Sequence, residues 1–232
     1  MTAVNVLEEG SPADDARGER SLQSVEDLAW LLASGHAVQA ETGGATSMDS
    51  LAHALQCADI LAARHPDDVE LQLAGLVHDI AHHLPAQHPP LSGADPIDLA
   101  EHDRAHGRLG AVLVQSLLGE RVANLVELHV SAKRYLVRFD AAYGAHLSAV
   151  SRRTLANQGG SMPDDEVLMF LADPDALDAL ELRRADDDAK EPGRVTTALA
   201  VWTDLMREFV ECRHNSDNSD NSDTAPAPQP TR

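Results

Sequence analysis

The run Gly75-Leu76-Val77-His78-Asp79-Ile80-Ala81-His82-His83 places an imidazole and a carboxylate side by side in an apolar helical stretch. Burying such a pair without partners costs free energy, so a compensating ion or charged group is expected beside it. Histidine and aspartate are together good ligands for iron, manganese or zinc, and adjacent positions let the carboxylate reach two ions. The spacing predicts His82 one turn after His78 on the same helix face. A helix end fraying into solvent is the alternative interpretation.

The composition favours a helical protein of one domain. Hydrophobic residues make up 43% of the 232 residues and aromatic residues only 3%, with abundant alanine and leucine, which is typical of helices rather than strands. We therefore predict an all-α helical bundle over residues 21–212. Residues 1–20 and 213–232 are predicted to be disordered, because they lack an apolar period and are polar or of low complexity.

Charge and cysteine content exclude several classes of function. The formal net charge of −20 would repel phosphate backbones, so no nucleic-acid partner is expected. Two distant cysteines, Cys57 and Cys212, do not make a disulfide framework. No stretch approaches about 18 consecutive apolar residues, so no membrane span is expected. The sequence predicts a cytoplasmic protein and leaves its oligomeric state open.

Helical periodicity and capping residues divide the chain into elements. Ser24 is a suitable N-cap, either Ser47 or Asp49 can start the second helix, and Asp67 and Asp68 open the third. A Pro-rich stretch has the composition of a long loop. The pattern predicts helices over 21–34, from 47 or 49 to 65, from 67 through the His-Asp pair, and over 97–117, 121–137, 164–184 and 194–212, with a loop over 84–96 and shorter elements in 140–163.

The candidate metal ligands lie on separate predicted helices or at the ends of such helices. Helices of a bundle can project such side chains inward to hold two ions. We expect Asp79 to bridge the ions, with the other ligands divided between them. In chain order the candidates are His53, His78, Asp79, His106, His129 and Asp186, of which His53, His78 and Asp186 belong to one ion and His106 and His129 to the other.

Single histidines in this set have simpler explanations. His53 or His129 alone on an apolar face would more often be a core histidine bonded to a backbone carbonyl. His102 competes with His106, which we prefer because the Gly110-Ala111 step after it permits close helix packing. The alternatives are not independent, however, and five positions falling in one workable order is a stronger signal than any one of them.

Five segments outside the His-Asp pair carry a more specific signal. They are His53-Ala54-Leu55-Gln56, the run from His129 to Leu136, Leu147-Ser148-x-x-Ser151, Gln158-Gly159-Gly160-x-Met162, and Arg183-Arg184-x-Asp186-Asp187-x-Ala189-Lys190. From about residue 25 to 190 the chain resembles the HD-domain superfamily. Within it, the segments resemble the mixed-valent di-iron oxygenases that cleave carbon–phosphorus bonds in phosphonates, relatives of myo-inositol oxygenase.

The resemblance implies a particular chemistry. It implies an Fe(II)/Fe(III) pair, O2 as co-substrate, and oxidation of a small 1-hydroxyphosphonate to a carboxylic acid and inorganic phosphate. One ion would bind the substrate and the other would bind oxygen. The residues assigned on this basis are Asp79, His82 and Lys133 as catalytic groups and His82, Lys133, Ser151 and Arg183 as substrate contacts.

Spacing supports two of these substrate contacts. Lys133 follows His129 by one helical turn, so its ammonium is expected to point into the same site. Arg183 precedes Asp186 by three residues and could offer a bidentate fork to a phosphonate. The acidic run offers Asp186, Asp187 and Asp188 as alternative metal ligands. Such a run is usually a solvated face, so the run alone does not select one of them. In the resembling family the ligand is the aspartate four residues before the final lysine, which favours Asp186.

The sequence departs from the family before the first ligand histidine. Enzymes of aminoethylphosphonate carry a Tyr and a Glu in a Tyr-x-Gly-Glu-like stretch there, whereas this chain has Glu41-Thr42-Gly43-Gly44-Ala45-Thr46-Ser47-Met48-Asp49, without the Tyr and without a Glu at the matching spacing. Losing that acceptor argues against a primary-amine substrate. It favours a quaternary ammonium, a smaller hydroxyphosphonate or another α-hydroxyphosphonate.

Two other functions use the same side chains. An HD phosphohydrolase would activate water with two divalent ions and act on a nucleotide or phosphomonoester without oxygen. A non-catalytic metal-binding scaffold would use the acidic ends of the chain for partners. Dependence of turnover on O2 separates the oxygenase from the first, and metal content separates it from the second.

Overall fold

A computed structural model describes the backbone of residues 22–41, 49–84 and 99–220, and the side chains of 22–34, 49–84 and 103–216. Throughout these ranges each regular element is helical and no strand occurs, which confirms the all-α prediction. The helices are α1 (Val25–Glu41), α2 (Ser50–Arg64), α3 (Val69–Val77), a 3₁₀ helix (Ile80–His83), α4 (Leu99–Leu118), α5 (Glu120–Phe139), α6 (Ala141–His146), α7 (Ala149–Asn157), α8 (Asp164–Ala172), α9 (Ala176–Asp188) and α10 (Leu199–Asp220).

Several predicted features lie outside the described residues. These are the N-terminal segment up to residue 20, the break over 42–46, the Pro-rich loop from 85 onward and the end of the chain from 221. Helix α10 continues past its predicted end at Cys212 as far as Asp220. In the described parts of the chain, no helix combines the length and the apolar character that crossing a membrane requires.

The predicted caps start the first three helices. The Ser24 hydroxyl accepts a hydrogen bond from the N–H of Asp27 at 3.1 Å, and the Asp27 carboxylate accepts one from the N–H of Ser24 at 3.1 Å, which forms a capping box. Asp49 and Asp68 each accept from a backbone N–H in the first turns of α2 and α3. Local sequence therefore determines where these helices begin.

The prediction of one helix over 164–184 is wrong. The chain forms α8 and α9 instead, with a break at Asp173-Pro174-Asp175. Proline has no N–H to donate and disfavours helical backbone at the residue before it. Accordingly, Asp173 is extended, with φ −73° and ψ 130°. The break separates the direction of α9 from that of α8.

Close packing of α2, α3, α5 and α9 brings the central part of the bundle together. A glycine permits the crossing of α2 and α3, because a Cβ built on Gly75 would lie 2.4 Å from Cδ1 of Leu61 and 3.4 Å from Sγ of Cys57. Both neighbouring side chains are fully buried in the core. The glycine thus lets the helix that carries His53 approach the one that leads to His78.

Candidate metal centre

The two oxygens of the Asp79 carboxylate face two different pairs of histidines. Oδ2 lies 3.5 Å from Nε2 of His78 and 3.9 Å from Nε2 of His53. Oδ1 lies 3.7 Å from Nε2 of His106 and 3.8 Å from Nε2 of His129. Each group of three could hold one metal ion. A carboxylate in this position could lie between two ions, with His53 and His78 beside one oxygen and His106 and His129 beside the other.

Asp186 joins the half of the site that contains His53 and His78. Its Oδ1 lies 3.3 Å from Nε2 of His53 and its Oδ2 lies 3.9 Å from Nε2 of His78. Its neighbours have other contacts: Asp187 accepts hydrogen bonds from a tyrosine, an arginine and a lysine, and Asp188 pairs with an arginine at the surface. Of the three competing aspartates, Asp186 is therefore the one with ligand geometry.

The four candidate ligand histidines have the same tautomer when neutral. A backbone carbonyl can only accept a hydrogen bond, so an imidazole nitrogen bonded to one carries the proton, and in a neutral ring the other nitrogen keeps a lone pair. Such bonds fix metal-binding imidazoles in general. The Nδ1 donors and their acceptors are His53 to Ala189 (2.8 Å), His78 to Gly75 (2.8 Å), His106 to Asp103 (2.9 Å) and His129 to Val126 (2.5 Å).

Two features of the imidazoles fit bound cations. Among the described residues, Nε2 of His78 is buried and has no hydrogen-bond partner. Nε2 of His106 lies 3.0 Å from Nε2 of His129, and both nitrogens present lone pairs because their Nδ1 atoms are the donors. Two facing lone pairs repel one another, whereas a metal ion between or beside them would accept both. The residues present therefore fit metal ions held by nitrogen and oxygen donors.

The ionisation states also suit metal ligands. Burial, together with the nearby imidazoles of His106 and His78, holds the pKa of His129 well below its usual range, so this ring is neutral at neutral pH. Burial acts to raise the pKa of Asp79, but the positive charge that His78, His82 and His106 carry when protonated outweighs it and holds the pKa well below the usual range. In Asp186 burial is likewise outweighed, first by Arg183, and the pKa is low. Both carboxylates are ionised.

The prediction that one helix continues from Gly75 to His83 is wrong. Helix α3 ends at Val77, His78 and Asp79 form a turn, and a short 3₁₀ helix follows. The imidazole of His78 donates to the carbonyl of Gly75, the group that a continuing α-helix would use for the N–H of Asp79. His82 still reaches the site from the 3₁₀ helix. Its Nε2 lies 3.9 Å from Oδ1 of Asp79, and its ring stacks on that of His106 at 4.5 Å.

Lys133 is a buried cation on α5, the helix of His129. Its Nζ donates to Oγ1 of Thr154 at 2.6 Å and to Oε1 of Gln158 at 3.0 Å. Burial, followed by the charge of Arg183, lowers its pKa to about 8. An ammonium has three N–H groups, so one remains beyond these two bonds for an anionic ligand.

The other predicted substrate contacts lie on two helices. Arg183, on α9, is buried and donates to Asp186. Ser151, on α7, is buried, and its hydroxyl accepts from the hydroxyl of Ser148 at 3.0 Å. The side chain of His102, the rival of His106, lies outside the described residues.

The sequence pattern missed two groups that hold Lys133. Gln158 belongs to a segment that was recognised, but its role there was not assigned. Thr154 follows Ser151 by three residues on α7, and that spacing was a usable signal, because residues three apart share a helix face. The backbone carbonyls that orient the histidines had no signal in the side-chain sequence.

Gly107 controls how closely α4 approaches α5. A Cβ there would lie 3.2 Å from the carbonyl oxygens of Val126 and Glu127 and 3.2 Å from Cγ2 of Val130. The carbonyl of Val126 is also the acceptor that orients His129. The Gly110 step after His106 was also expected to permit close packing, and a Cβ on Gly110 would lie 3.0 Å from Cγ1 of Val126.

We expect Gly107→Ala to lower the free energy of unfolding by up to about 2 kcal/mol, and to be about 1–3 kcal/mol less stable than the control variant below. Overpacking against fixed carbonyls costs about 1–3 kcal/mol, and alanine's better helix propensity returns about 1 kcal/mol of it. Urea unfolding measures the change, and metal content should fall with it because α4 and α5 carry His106 and His129. The control is Gly144→Ala, whose Cβ meets only the carbonyl of Val137 at 3.8 Å. A Gly107 variant as stable as this control would contradict the packing argument.

An all-helical domain with a His-Asp pair at its centre, joined by histidines from neighbouring helices, defines a class of protein. The family model described as "HD domain" matches residues 47–180, more than half of the chain. The chain belongs to the HD-domain family. The matched range includes His53, the His78-Asp79 pair, His106 and His129, and it ends shortly before Asp186.

Individual relatives indicate which members of the family this chain is similar to in sequence. The chain is 39% identical over 147 residues to hydroxymethylphosphonate dioxygenase of Gimesia maris, covering 63% of this chain and 70% of that protein. It is 32% identical over 159 residues to [1-hydroxy-2-(trimethylamino)ethyl]phosphonate dioxygenase (glycine-betaine-forming) of Leisingera caerulea, covering 68% and 78%. An uncharacterised protein of Acanthamoeba polyphaga mimivirus is 30% identical over 166 residues, covering 71% and 73%.

Proposed function

We propose that this protein is an O2-dependent oxygenase that uses two iron ions to cleave the carbon–phosphorus bond of a 1-hydroxyphosphonate. The observation that carries the proposal is the Asp79 carboxylate, with one oxygen toward each pair of histidines, close to two buried cationic side chains. Six nitrogen and oxygen donors suit iron, and the two named relatives are dioxygenases of hydroxyphosphonates. Bound iron would supply the activation of oxygen and the Lewis acidity that substrate oxygens need.

The protein's own residues would bind and orient the phosphonate. Lys133 offers its remaining N–H to a phosphonate oxygen, and Arg183 offers a guanidinium beside Asp186. Burial lowers the pKa of His82, so its ring is neutral. This ring, which lies beside Asp79, could form a hydrogen bond with the substrate. Ser151 supplies a hydroxyl. The ligand set proposed for the ions is His53, His78, Asp79, His106, His129 and Asp186.

Hydroxymethylphosphonate is the first substrate to test. The stretch before His53 has no Glu at the spacing that the resembling enzymes of aminoethylphosphonate have. By their names, the two relatives act on a substrate without an amine and on one with a trimethylamino group. For hydroxymethylphosphonate the reaction consumes one O2 per molecule. The carbon–phosphorus bond breaks, the carbon is oxidised to formate, and the phosphorus leaves as phosphate while O2 is reduced.

The test is turnover by iron-loaded protein with ascorbate. We expect O2 consumption and phosphate release in equal amounts with hydroxymethylphosphonate, and formate as the second product. The trimethylamino substrate is the comparison within the same panel. Phosphate release from phosphomonoesters under anaerobic conditions, supported by manganese, would identify a phosphohydrolase instead. Absence of O2 consumption with every hydroxyphosphonate in the panel would contradict the proposal.

The pKa of Lys133 predicts a pH dependence of substrate affinity. Below the value of about 8 the ammonium is charged and binds a dianion, and above it the charge is lost. The KM for the phosphonate should therefore rise as pH increases through 8, by about tenfold or more, because a charge-assisted hydrogen bond contributes about 1.5–3 kcal/mol. Steady-state kinetics between pH 6.5 and 9.5 measure it.

The variant Lys133→Met separates this group from the substrate's own ionisation. Its KM should already be about tenfold higher at neutral pH. It should show no further rise through pH 8 beyond what the substrate's ionisation produces. If KM in this variant rises through pH 8 as much as it does in wild type, Lys133 does not bind the phosphonate.

A further inference from the structure

Two carboxylates and a tyrosine hydroxyl hold the guanidinium of Arg183. Its Nη1 donates to Asp186. Its Nη2 donates to Oδ1 of Asp187 at 2.7 Å, and its Nε donates to Oδ2 of Asp187 at 3.0 Å and to the hydroxyl of Tyr143 at 2.8 Å. The Tyr143 hydroxyl donates to Oδ2 of Asp187 at 2.6 Å. These bonds form a closed ring of contacts around one edge of the guanidinium.

Two N–H groups of the guanidinium remain beyond these bonds. Each terminal nitrogen of a guanidinium carries two N–H groups, so Nη1 and Nη2 each retain one beyond their bonds to Asp186 and Asp187. A planar fork of this kind matches the oxygens of a phosphonate or phosphate group. The direction in which it points depends on the groups that fix the opposite edge.

We propose that Tyr143 and Asp187 are positioning residues that aim the guanidinium of Arg183 at the phosphonate group of the substrate. The inference deepens the proposed function and rests on it for the identity of the anion. Neither residue lies among the candidate metal ligands, and Asp187 is the neighbour of Asp186 that the sequence left as a rival. In the folded protein Asp186 contacts the histidines as well as Nη1 of Arg183, whereas Asp187 contacts Nε and Nη2 of Arg183.

The charge of Asp187 makes the proposal sharply testable. A carboxylate near an anion site repels the anion, so removing its charge should tighten binding if charge were its only effect. If Asp187 positions Arg183, the same change should weaken binding. Lys190 partly compensates the carboxylate at present, with its Nζ 2.6 Å from Oδ1 of Asp187. The sign of the effect therefore distinguishes a positioning role from simple electrostatics.

The experiment measures binding to the metal-loaded protein without turnover. Isothermal titration with inorganic phosphate, and with hydroxymethylphosphonate under anaerobic conditions, gives dissociation constants for wild type, Asp187→Asn and Tyr143→Phe. We expect about tenfold weaker binding for Asp187→Asn. About threefold weaker binding is expected for Tyr143→Phe, because a cavity of about 450 Å³ beside Tyr143 lets water replace its hydroxyl. Metal content should stay at the wild-type level.

Two matched controls use neighbouring residues. Asp188→Asn removes the same charge from the next position of α9, where the side chain pairs with Arg64 at the surface. Tyr135→Phe removes a hydroxyl from a ring that packs against Phe139 and Phe170. Both controls should bind within twofold of wild type. In turnover, the two positioning variants should raise KM in the same proportions while kcat changes less than threefold.

The outcomes separate this inference from the proposed function. If Asp187→Asn binds the anions as tightly as wild type or more tightly, the inference is overturned. It is also overturned if both variants bind more weakly because they have lost metal. A wild type that binds neither anion overturns it too. Wild-type protein that binds phosphate but consumes no O2 with any hydroxyphosphonate contradicts the proposed function alone, because the binding comparison still tests the positioning of Arg183.

Discussion

Replacing Asp79 with alanine is expected to remove both metal ions and lower turnover by about 1,000-fold or more. Its two oxygens face separate histidine pairs, so its loss takes a donor from each half of the site. The charge stabilisation that a metal ion supplies amounts to several kcal/mol, and each 1.36 kcal/mol corresponds to a factor of ten in rate. Metal analysis and O2 consumption measure the two effects.

Asp188→Ala is the control for this variant. It removes an aspartate at the surface, and both metal content and activity should stay close to wild type. Full metal content in Asp79→Ala would contradict the assignment of Asp79 as a shared ligand. Loss of a single ion, with the other retained at full occupancy, would mean that the carboxylate serves one half of the site only.

Replacing His129 with alanine is expected to remove one metal ion and keep the other. In the proposed site His129 and His106 belong to one half, and His53, His78 and Asp186 would hold the other ion without them. Metal content should fall from about two ions to about one per chain, as expected for separate halves of a two-ion site in a bundle. O2-dependent turnover should fall by about 1,000-fold, because the remaining ion lacks its partner.

The control for this experiment is His83→Gln. His83 is as buried as His129 and follows His82 directly, but its Nδ1 lies 3.3 Å from the carbonyl of Leu31, away from the ligand set. This variant should keep both ions. Equal metal loss in the two variants would mean that the histidines act on metal content through stability alone.

The helical elements and their caps could be predicted from local sequence, whereas some breaks could not. Ser24, Asp49 and Asp68 begin helices through bonds to their own first turns, and such bonds depend on nearby residues only. Proline at position 174 was a signal for the break between α8 and α9. It was overlooked because the helical spacing of apolar residues continues on both sides of it. The turn at His78 had no such signal, because it involves the bond between the imidazole and the Gly75 carbonyl.

Lys133 shows where side-chain spacing is an incomplete guide. Its position one turn from His129 indicated the direction of the side chain. Its low pKa, however, results from burial and from Arg183, which lies on another helix. The bonds from Lys133 to Thr154 and Gln158 depend on the packing of α7 against the site. None of these effects can be read from the residues next to Lys133 in the chain.

The sequence by itself determined the all-α class and the order of donors, because apolar periodicity and residue identity are local properties. Tertiary structure decided which aspartate of the run on α9 faces the histidines. Adjacent residues on a helix point about 100° apart, so Asp186 and Asp187 must face different neighbours, and only the rotation of α9 in the packed bundle selects between them. It also decided which histidine pair each oxygen of Asp79 meets, since those rings arrive from separate helices.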